Sequence, residues 1–247
     1  MQETYLFWLL AVPAVLITGI SKSGFAGGIG VIAVPMLALQ IGPLRAAAIM
    51  LPLLIFMDVL SVKAWWGKQR NDLLRLLVPP AVTGIVLGYL LYDFFNEQIL
   101  MLSLGIMSVT FALWGLLKGI KLDTAAHPLI GRICALVAGL TSFIAHAGGP
   151  PLNFYLLPLK LSKEDFLATA VYFFTVINLV KLVPYAVLGQ LNTDNLMVGL
   201  MLAPVAWLGV KLGLVIQKKI DQALFMNIIL SMLLIIGLKL IASGWPF

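Results

Sequence analysis

The sequence predicts an all-α integral membrane protein that crosses the bilayer several times. Of its 247 residues, 62% are hydrophobic and only 11% are charged, whereas soluble domains average about 45–50% apolar and about 25% charged residues. The apolar residues form long runs, several of them close to the roughly 20 residues that a spanning helix needs. A soluble core of this size could not hide so much apolar surface, so the fold class is polytopic and membrane-embedded.

The apolar runs divide the chain into ten segments, of which two are unsuited to a full crossing. The segments lie at about 5–20, 25–40, 43–62, 73–92, 97–117, 129–145, 149–159, 164–190, 195–217 and 222–243. Segment 25–40 begins with glycines, and segment 149–159 is short and begins beside two prolines. We expect these two to be short helices that enter the membrane and stop, or halves of broken helices. The prediction is therefore eight to ten hydrophobic segments, with the number of full crossings left open.

Positive charges in the connections predict the orientation. They cluster at Lys63, Lys68, Arg70 and Arg75, at Lys118, Lys121 and Arg132, and at Lys218 and Lys219. By the positive-inside rule these connections face the cytoplasm, and the net charge of +6 reflects them rather than a nucleic-acid partner. No basic, cleavable leader stands at the N-terminus, so we expect the first segment to be retained. Trp65 and Trp66 stand at a segment end, where tryptophan is typically interfacial.

The chain reads as one transmembrane domain, 1–247, made of two repeats at about 5–120 and 129–245. Asp58 falls opposite Asn178, and the stretches around the two glycine-rich breaks, 24–30 and 146–151, correspond. Pro79, Gly84 and Gly88 match Pro204, Gly209 and Gly213 at one constant offset. Equivalent segments end on opposite sides of the membrane, so the repeats are inverted. Inverted repeats with interrupted segments at corresponding positions indicate a secondary transporter whose site lies at the midplane.

Three stretches resemble the TauE/SafE family of sulfite exporters, and the resemblance extends over nearly the whole chain. They are SKSGFAGG at 21–28 followed by Val34-Pro35, AHAGGP at 145–150, and FFTVINLVKLVPY at 173–185. The second break has Gly-Gly-Pro-Pro where much of the family has a fuller glycine-rich run ending in Val-Pro, which marks a sub-branch. The resemblance implies transport of sulfite, organosulfonates or similar small anions across the bacterial inner membrane.

The glycines at both breaks are candidate anion ligands through their backbone N–H groups. Gly27 and Gly28 precede one short segment, and Gly148 and Gly149 precede the other. A helix N-terminus binds oxyanions with its amides and dipole, and glycine lets the backbone approach closely. The alternative is that these glycines serve only close helix packing.

Polar side chains near the breaks complete the candidate site. The predicted substrate-binding residues are Ser21, Lys22, Gly27, Gly28, His146, Gly148, Gly149, Asn178 and Lys181. Buried ionisable groups in membranes are costly and are functional hypotheses by default. The alternatives are that Lys181 snorkels to the interface, and that His146 is an interior histidine bonded to a carbonyl freed by the kink, or to Ser142.

Asp58 and His146 are the candidates for coupling transport to a proton. Asp58 is the one carboxylate well inside an apolar run, and histidine titrates near neutral pH. Two alternatives for Asp58 stay open, a pair with a membrane lysine and a structural ion pair with Lys63.

The function predicted from these residues is secondary transport, with export favoured, of a small sulfur oxyanion such as sulfite or an organosulfonate by alternating access. An anion channel and a carboxylate carrier remain alternatives. An intramembrane enzyme is disfavoured, because Ser142 and His146 share one helix without a carboxylate near in sequence. No cofactor or metal is expected. The expected partners are a small anion, the bilayer and a proton or ion as coupling species, with a homodimer left open.

Overall fold

The computed structural model describes residues 5–25, 32–94, 96–118, 127–159, 161–219 and 222–245. Within these ranges the chain forms ten α-helices: α1 (Tyr5–Gly24), α2 (Ala33–Ile41), α3 (Pro43–Ala64), α4 (Asn71–Leu90), α5 (Glu97–Lys118), α6 (Pro128–Ala145), α7 (Gly149–Leu156), α8 (Lys163–Val187), α9 (Thr193–Ile216) and α10 (Gln222–Gly244). Short 3-10 turns follow α4 at Tyr92–Phe94 and α7 at Leu157–Leu159.

The ten helices correspond one to one with the ten predicted apolar segments, which confirms the all-helical prediction for the described residues. Six of them, α1, α3, α4, α6, α8 and α9, are long and apolar enough to cross a membrane. The two doubtful segments are short helices, with nine residues in α2 and eight in α7. The first break lies between Gly24 and Ala33, of which residues 26–31 are outside the described part of the chain.

Several helices begin where the sequence supplies a cap. Ser162 accepts a hydrogen bond from the backbone N–H of Asp165 at the start of α8, and Asn192 accepts one from Asn195 at the start of α9. Such caps satisfy N–H groups that have no partner within the helix. α3 begins with Pro43 directly after Gly42, whose φ of 76° reverses the chain between α2 and α3.

Glycines allow two pairs of helices to pack closely and in parallel. α4 lies on α6, and α1 lies on α9. A Cβ atom at Gly84 would collide with the carbonyl oxygen of Leu136, and one at Gly209 would meet the carbonyl oxygen of Leu16. Small residues let the two backbones approach closely, and such close packing is a main source of association between membrane helices. α3 and α8 contact each other between these pairs, while α5 and α10 pack together at the side.

The basic connections lie at one end of the bundle. Lys68 forms an ion pair of 2.9 Å with Glu164, which joins the end of α3 to the start of α8. The Nζ of Lys163 donates to the carbonyl of Gln217, which brings the end of α9 to the same place. The basic clusters after α3 and after α9 therefore share one end, as the loop charges predict. The positive-inside rule assigns this end to the cytoplasm.

Candidate functional site

Four helices bring buried polar side chains together in the middle of the bundle. α1 supplies Lys22, α3 supplies Asp58, α6 supplies Ser142, and α8 supplies Asn178 and Lys181, all of them at most 4% exposed. The three charged residues in this group are the buried charges among the described residues. Because charges inside a membrane protein are costly unless they are paired or functional, this cluster is the candidate site.

Asp58 joins the two halves of the chain. Its Oδ1 lies 2.9 Å from the Nζ of Lys22, and its Oδ2 accepts a hydrogen bond of 2.7 Å from the Nδ2 of Asn178. The lysine that pairs with Asp58 is thus Lys22 of α1, and the alternative pair with Lys63 is wrong. Lys63 lies on the exposed side of α3, since five residues along a helix turn a side chain away from the original face.

Lys181 is fully buried and is held by three acceptors. Its Nζ donates to the carbonyl oxygen of Ser142 at 3.0 Å and to the Oγ of Ser142 at 2.9 Å, and it contacts the Nδ1 of His146 at 2.7 Å. Three acceptors match the three N–H groups of an ammonium. The alternative that Lys181 snorkels to the interface is therefore wrong, because its side chain turns toward α6.

His146 ends α6 in a left-handed conformation and faces α3. Its φ is 53°, and its Nε2 lies 2.8 Å from the carbonyl oxygen of Ala47. A carbonyl oxygen can only accept, so we assign the proton to Nε2, which leaves Nδ1 to accept from Lys181. The contact of His146 with Ala47 thus agrees with the alternative that this histidine is an interior residue bonded to a backbone carbonyl. The carbonyl, however, belongs to α3 and not to the break after α6. The Oγ of Ser142 bonds Lys181, while its carbonyl oxygen accepts both from Lys181 and from the backbone N–H of His146.

A small cavity opens beside this cluster. Its empty space is about 330 Å³, counted together with the open space at its mouth. Its walls are formed by Thr18, Lys22, Leu54, Ser142, His146, Phe174 and Asn178. The Nζ of Lys22 also lies 5.9 Å from the ring centre of Phe174, within the range of a cation–π contact. Both polar and apolar side chains therefore line the cavity.

The remaining predicted residues lie near the cavity or outside the described part. Gly27 and Gly28 belong to residues 26–31, which are not described. Gly148 and Gly149 are buried at the start of α7, and Gly148 packs against the cavity residues Ser142 and Phe174. Neither of these glycines is among the residues that line the cavity, and Ser21, buried in α1, is not among them either.

Two aromatic hydrogen bonds at the helix breaks were not anticipated. The indole Nε1 of Trp65 donates to the carbonyl of Ser23 at 3.1 Å, and the hydroxyl of Tyr185 donates to the carbonyl of Phe143 at 2.7 Å. Both the donors and the acceptors are related by the offset of 120 residues that relates Asp58 to Asn178. We call these contacts the Trp65 latch and the Tyr185 latch. The constant offset is the sequence signal that could have revealed them.

The Trp65 latch corrects one expectation from sequence. Trp65 is only 7% exposed and lies inside the bundle, whereas its neighbour Trp66 is 75% exposed, as an interfacial tryptophan would be. Trp65 turns inward because the carbonyl groups at the end of α1 lack partners within that helix, and its indole N–H supplies one.

Both residues of the Tyr185 latch line a second cavity, which lies nearer the opposite end of the bundle. This second cavity, of about 350 Å³ counted together with its mouth, is lined by Leu44, Ala47, Tyr92, Phe143, Ile144, Tyr185, Leu188 and Gln190. We call it the vestibule. Ser142 and His146 line the central cavity, while the neighbouring Phe143 and the Ala47 that His146 contacts line the vestibule. Neighbouring residues of α6 therefore line the two cavities.

Comparison with known proteins identifies a family over most of the chain. A family model described as Sulfite exporter TauE/SafE matches residues 11–240. The searches of curated proteins and of solved structures returned no match. Within the described residues, no group of three or more histidine, cysteine, aspartate or glutamate side chains could hold a metal ion.

Proposed function

Since the chain belongs to the TauE/SafE family of sulfite exporters, we propose that it carries a small sulfur oxyanion, such as sulfite or an organosulfonate, out across the bacterial inner membrane. The observation that carries this proposal is the buried ammonium of Lys22 at the wall of the central cavity. Its partner Asp58 contacts it through one oxygen, and no other acceptor among the described residues contacts its Nζ. Its remaining N–H groups are available to an anion in the cavity.

The packing of the helices supports an inverted repeat. The contact of Gly84 with Leu136 in one half has its counterpart in the contact of Gly209 with Leu16. Gly209 follows Gly84 by 125 residues, and Leu136 follows Leu16 by 120 residues. The pairing of α4 with α6 likewise mirrors the pairing of α9 with α1. A two-fold axis in the membrane plane relates one pair of helices to the other in this way, and many secondary transporters contain such an axis.

We propose that transport proceeds by alternating access and that the two latches close the two sides of the site. The Trp65 latch lies at the end of the bundle that carries the basic connections, and the Tyr185 latch lies on the vestibule side. Both hydrogen bonds are formed in this structure, so the cavity is closed at both latches. Opening one latch at a time would expose Lys22 alternately to the two sides.

Asp58 is the better placed of the two coupling candidates. Both ring nitrogens of His146 are occupied by Ala47 and Lys181, so this histidine could take up a second proton only by losing a contact. Asp58 faces Lys22 directly. An anion that binds Lys22 competes with the carboxylate of Asp58, and a released carboxylate would take up a proton. In this proposal, anion movement and proton movement are coupled at Asp58.

The test is anion flux in proteoliposomes that contain the purified protein. We expect saturable sulfite flux with counterflow, and loss of flux in Lys22→Ala and Lys181→Ala. Lys239→Ala is the matched control, because Lys239 is an exposed lysine on α10. Flux near the wild-type level in both buried-lysine variants would refute the site. A linear, unsaturable flux would instead favour an anion channel, and competition by carboxylates alone would favour a carboxylate carrier.

A further inference from the structure

The buried cluster holds two positive groups and one negative group. Lys22 is paired with Asp58, whereas the three acceptors around Lys181 are a carbonyl, a hydroxyl and a neutral ring nitrogen. Among the described residues no further buried carboxylate stands near to balance Lys181. His146 adds no charge while its Nε2–H donates to Ala47 and its Nδ1 accepts from Lys181. With both ammonium groups and the Asp58 carboxylate ionised, the site carries one excess positive charge.

We infer that the central cavity selects anions by their charge and binds monoanions in preference to dianions. This inference rests on the proposed function, since it concerns the anion that the same cavity binds. An unbalanced charge in a medium of low polarity is strongly unfavourable. One monoanion brings the cluster to neutrality, whereas a dianion leaves an excess negative charge that nothing in the described bundle balances.

The arrangement of donors fits an anion with one charged end. The contact of 2.9 Å with Asp58 Oδ1 occupies one of the three N–H groups of the Lys22 ammonium, so the other two remain for the cavity. Asn178 uses its Nδ2 once, for Asp58, and retains a second N–H. Leu54 and Phe174 are the apolar residues among those that line the cavity. A sulfonate with a small alkyl group presents oxygens to the N–H donors and carbon to Leu54 and Phe174.

Asp58 sets the selectivity in this scheme. It lowers the positive charge of the cluster by one, and it holds Lys22 and Asn178 close together. Replacing Asp58 by Asn keeps the size of the side chain and removes the negative charge. The cluster then carries two excess positive charges, which a dianion balances.

The experiment compares methanesulfonate with sulfate on the purified full chain. Both anions are tetrahedral and centred on sulfur, and at neutral pH they differ by one unit of charge and by a methyl group in place of an oxygen. Binding is measured by thermal stabilisation, which grows with occupancy of the folded state. We expect the wild type to bind methanesulfonate at least tenfold more tightly than sulfate. In Asp58→Asn we expect the preference to move toward sulfate by at least tenfold.

Asp194→Asn is the matched control. Asp194 is an exposed aspartate at the start of α9, so the substitution changes the net charge equally without touching the cavity. It should retain the wild-type preference. If the wild type binds sulfate as tightly as methanesulfonate, the inference on charge fails while the anion site stands; this comparison needs no variant and is independent of how the variants fold. If neither anion, nor sulfite, stabilises the protein, the proposed anion site itself fails.

Discussion

Asp58 and Asn178 stand 120 residues apart in the chain and bond to each other, with Asn178 Nδ2 donating to Asp58 Oδ2 at 2.7 Å. In the inverted repeat that we propose, these two residues are equivalent, and equivalent residues meet in this way where they lie near the two-fold axis. At this place the chain is asymmetric, since one half contributes a carboxylate and the other an amide. The amide donates and the carboxylate accepts, and Lys22 compensates the charge.

This contact predicts a swap experiment. Asn178→Asp places a second carboxylate against Asp58 and removes the donor, so we expect a clear fall in thermal stability, because like charges held together are strongly unfavourable where water is excluded. The double variant Asp58→Asn with Asn178→Asp restores one amide and one carboxylate. It should recover at least half of the lost thermal midpoint. A double variant less stable than Asn178→Asp would contradict the direct contact.

The two latches predict opposite effects on access to the cavity. In a Cys134→Ala background, Thr18→Cys places a thiol on the cavity wall, and an impermeant anionic thiol reagent reports access from either side. Tyr185→Phe removes only the hydroxyl, and a hydrogen bond contributes about 1 kcal/mol, so labelling from the vestibule side should rise about fivefold. Trp65→Phe should raise labelling from the basic side instead. This measurement needs no substrate.

A rise on the same side in both variants would show that the latches do not guard separate entrances. Tyr89→Phe serves as the control, because Tyr89 is a partly buried tyrosine on α4 and does not line either cavity. It should leave labelling from both sides at the level of the cysteine variant.

The close helix pairs predict which glycines tolerate alanine. Gly84→Ala and Gly209→Ala each bring a methyl group into a backbone carbonyl of the neighbouring helix, and overpacking of this kind costs about 1–3 kcal/mol. Gly199→Ala, on the same helix as Gly209, meets its nearest atoms at 3.5 Å and should be neutral or stabilising, since alanine favours helix by about 1 kcal/mol. Thermal denaturation in one detergent measures all three. Equal loss of stability at Gly199 and Gly209 would contradict the predicted packing.

The sequence predicts the helices of this protein well because apolar runs report directly on crossing lengths, and each of the ten runs forms a helix. It also singles out Lys22, Asp58 and Lys181, because charges stand out within apolar segments. The sequence does not predict the partners of these charged side chains. Asp58 pairs with Lys22 rather than with Lys63, and Lys181 bonds to Ser142. The packing of α1, α3, α6 and α8 determines which of these side chains come into contact. Local spacing along one helix does not contain that information.

The left-handed conformation of His146 predicts an unusual order of stability for two substitutions. Glycine and alanine both remove the imidazole and its contacts with Ala47 and Lys181. Only alanine has a Cβ, which disfavours the φ of 53° at this position by about 1–2 kcal/mol. We therefore expect His146→Gly to be more stable than His146→Ala. At Thr83, an exposed position within α4, the order should reverse, because glycine weakens a helix by about 1 kcal/mol relative to alanine. Thermal midpoints of the four variants give the comparison, and the same order at both positions would mean that His146 does not end α6 in the left-handed region.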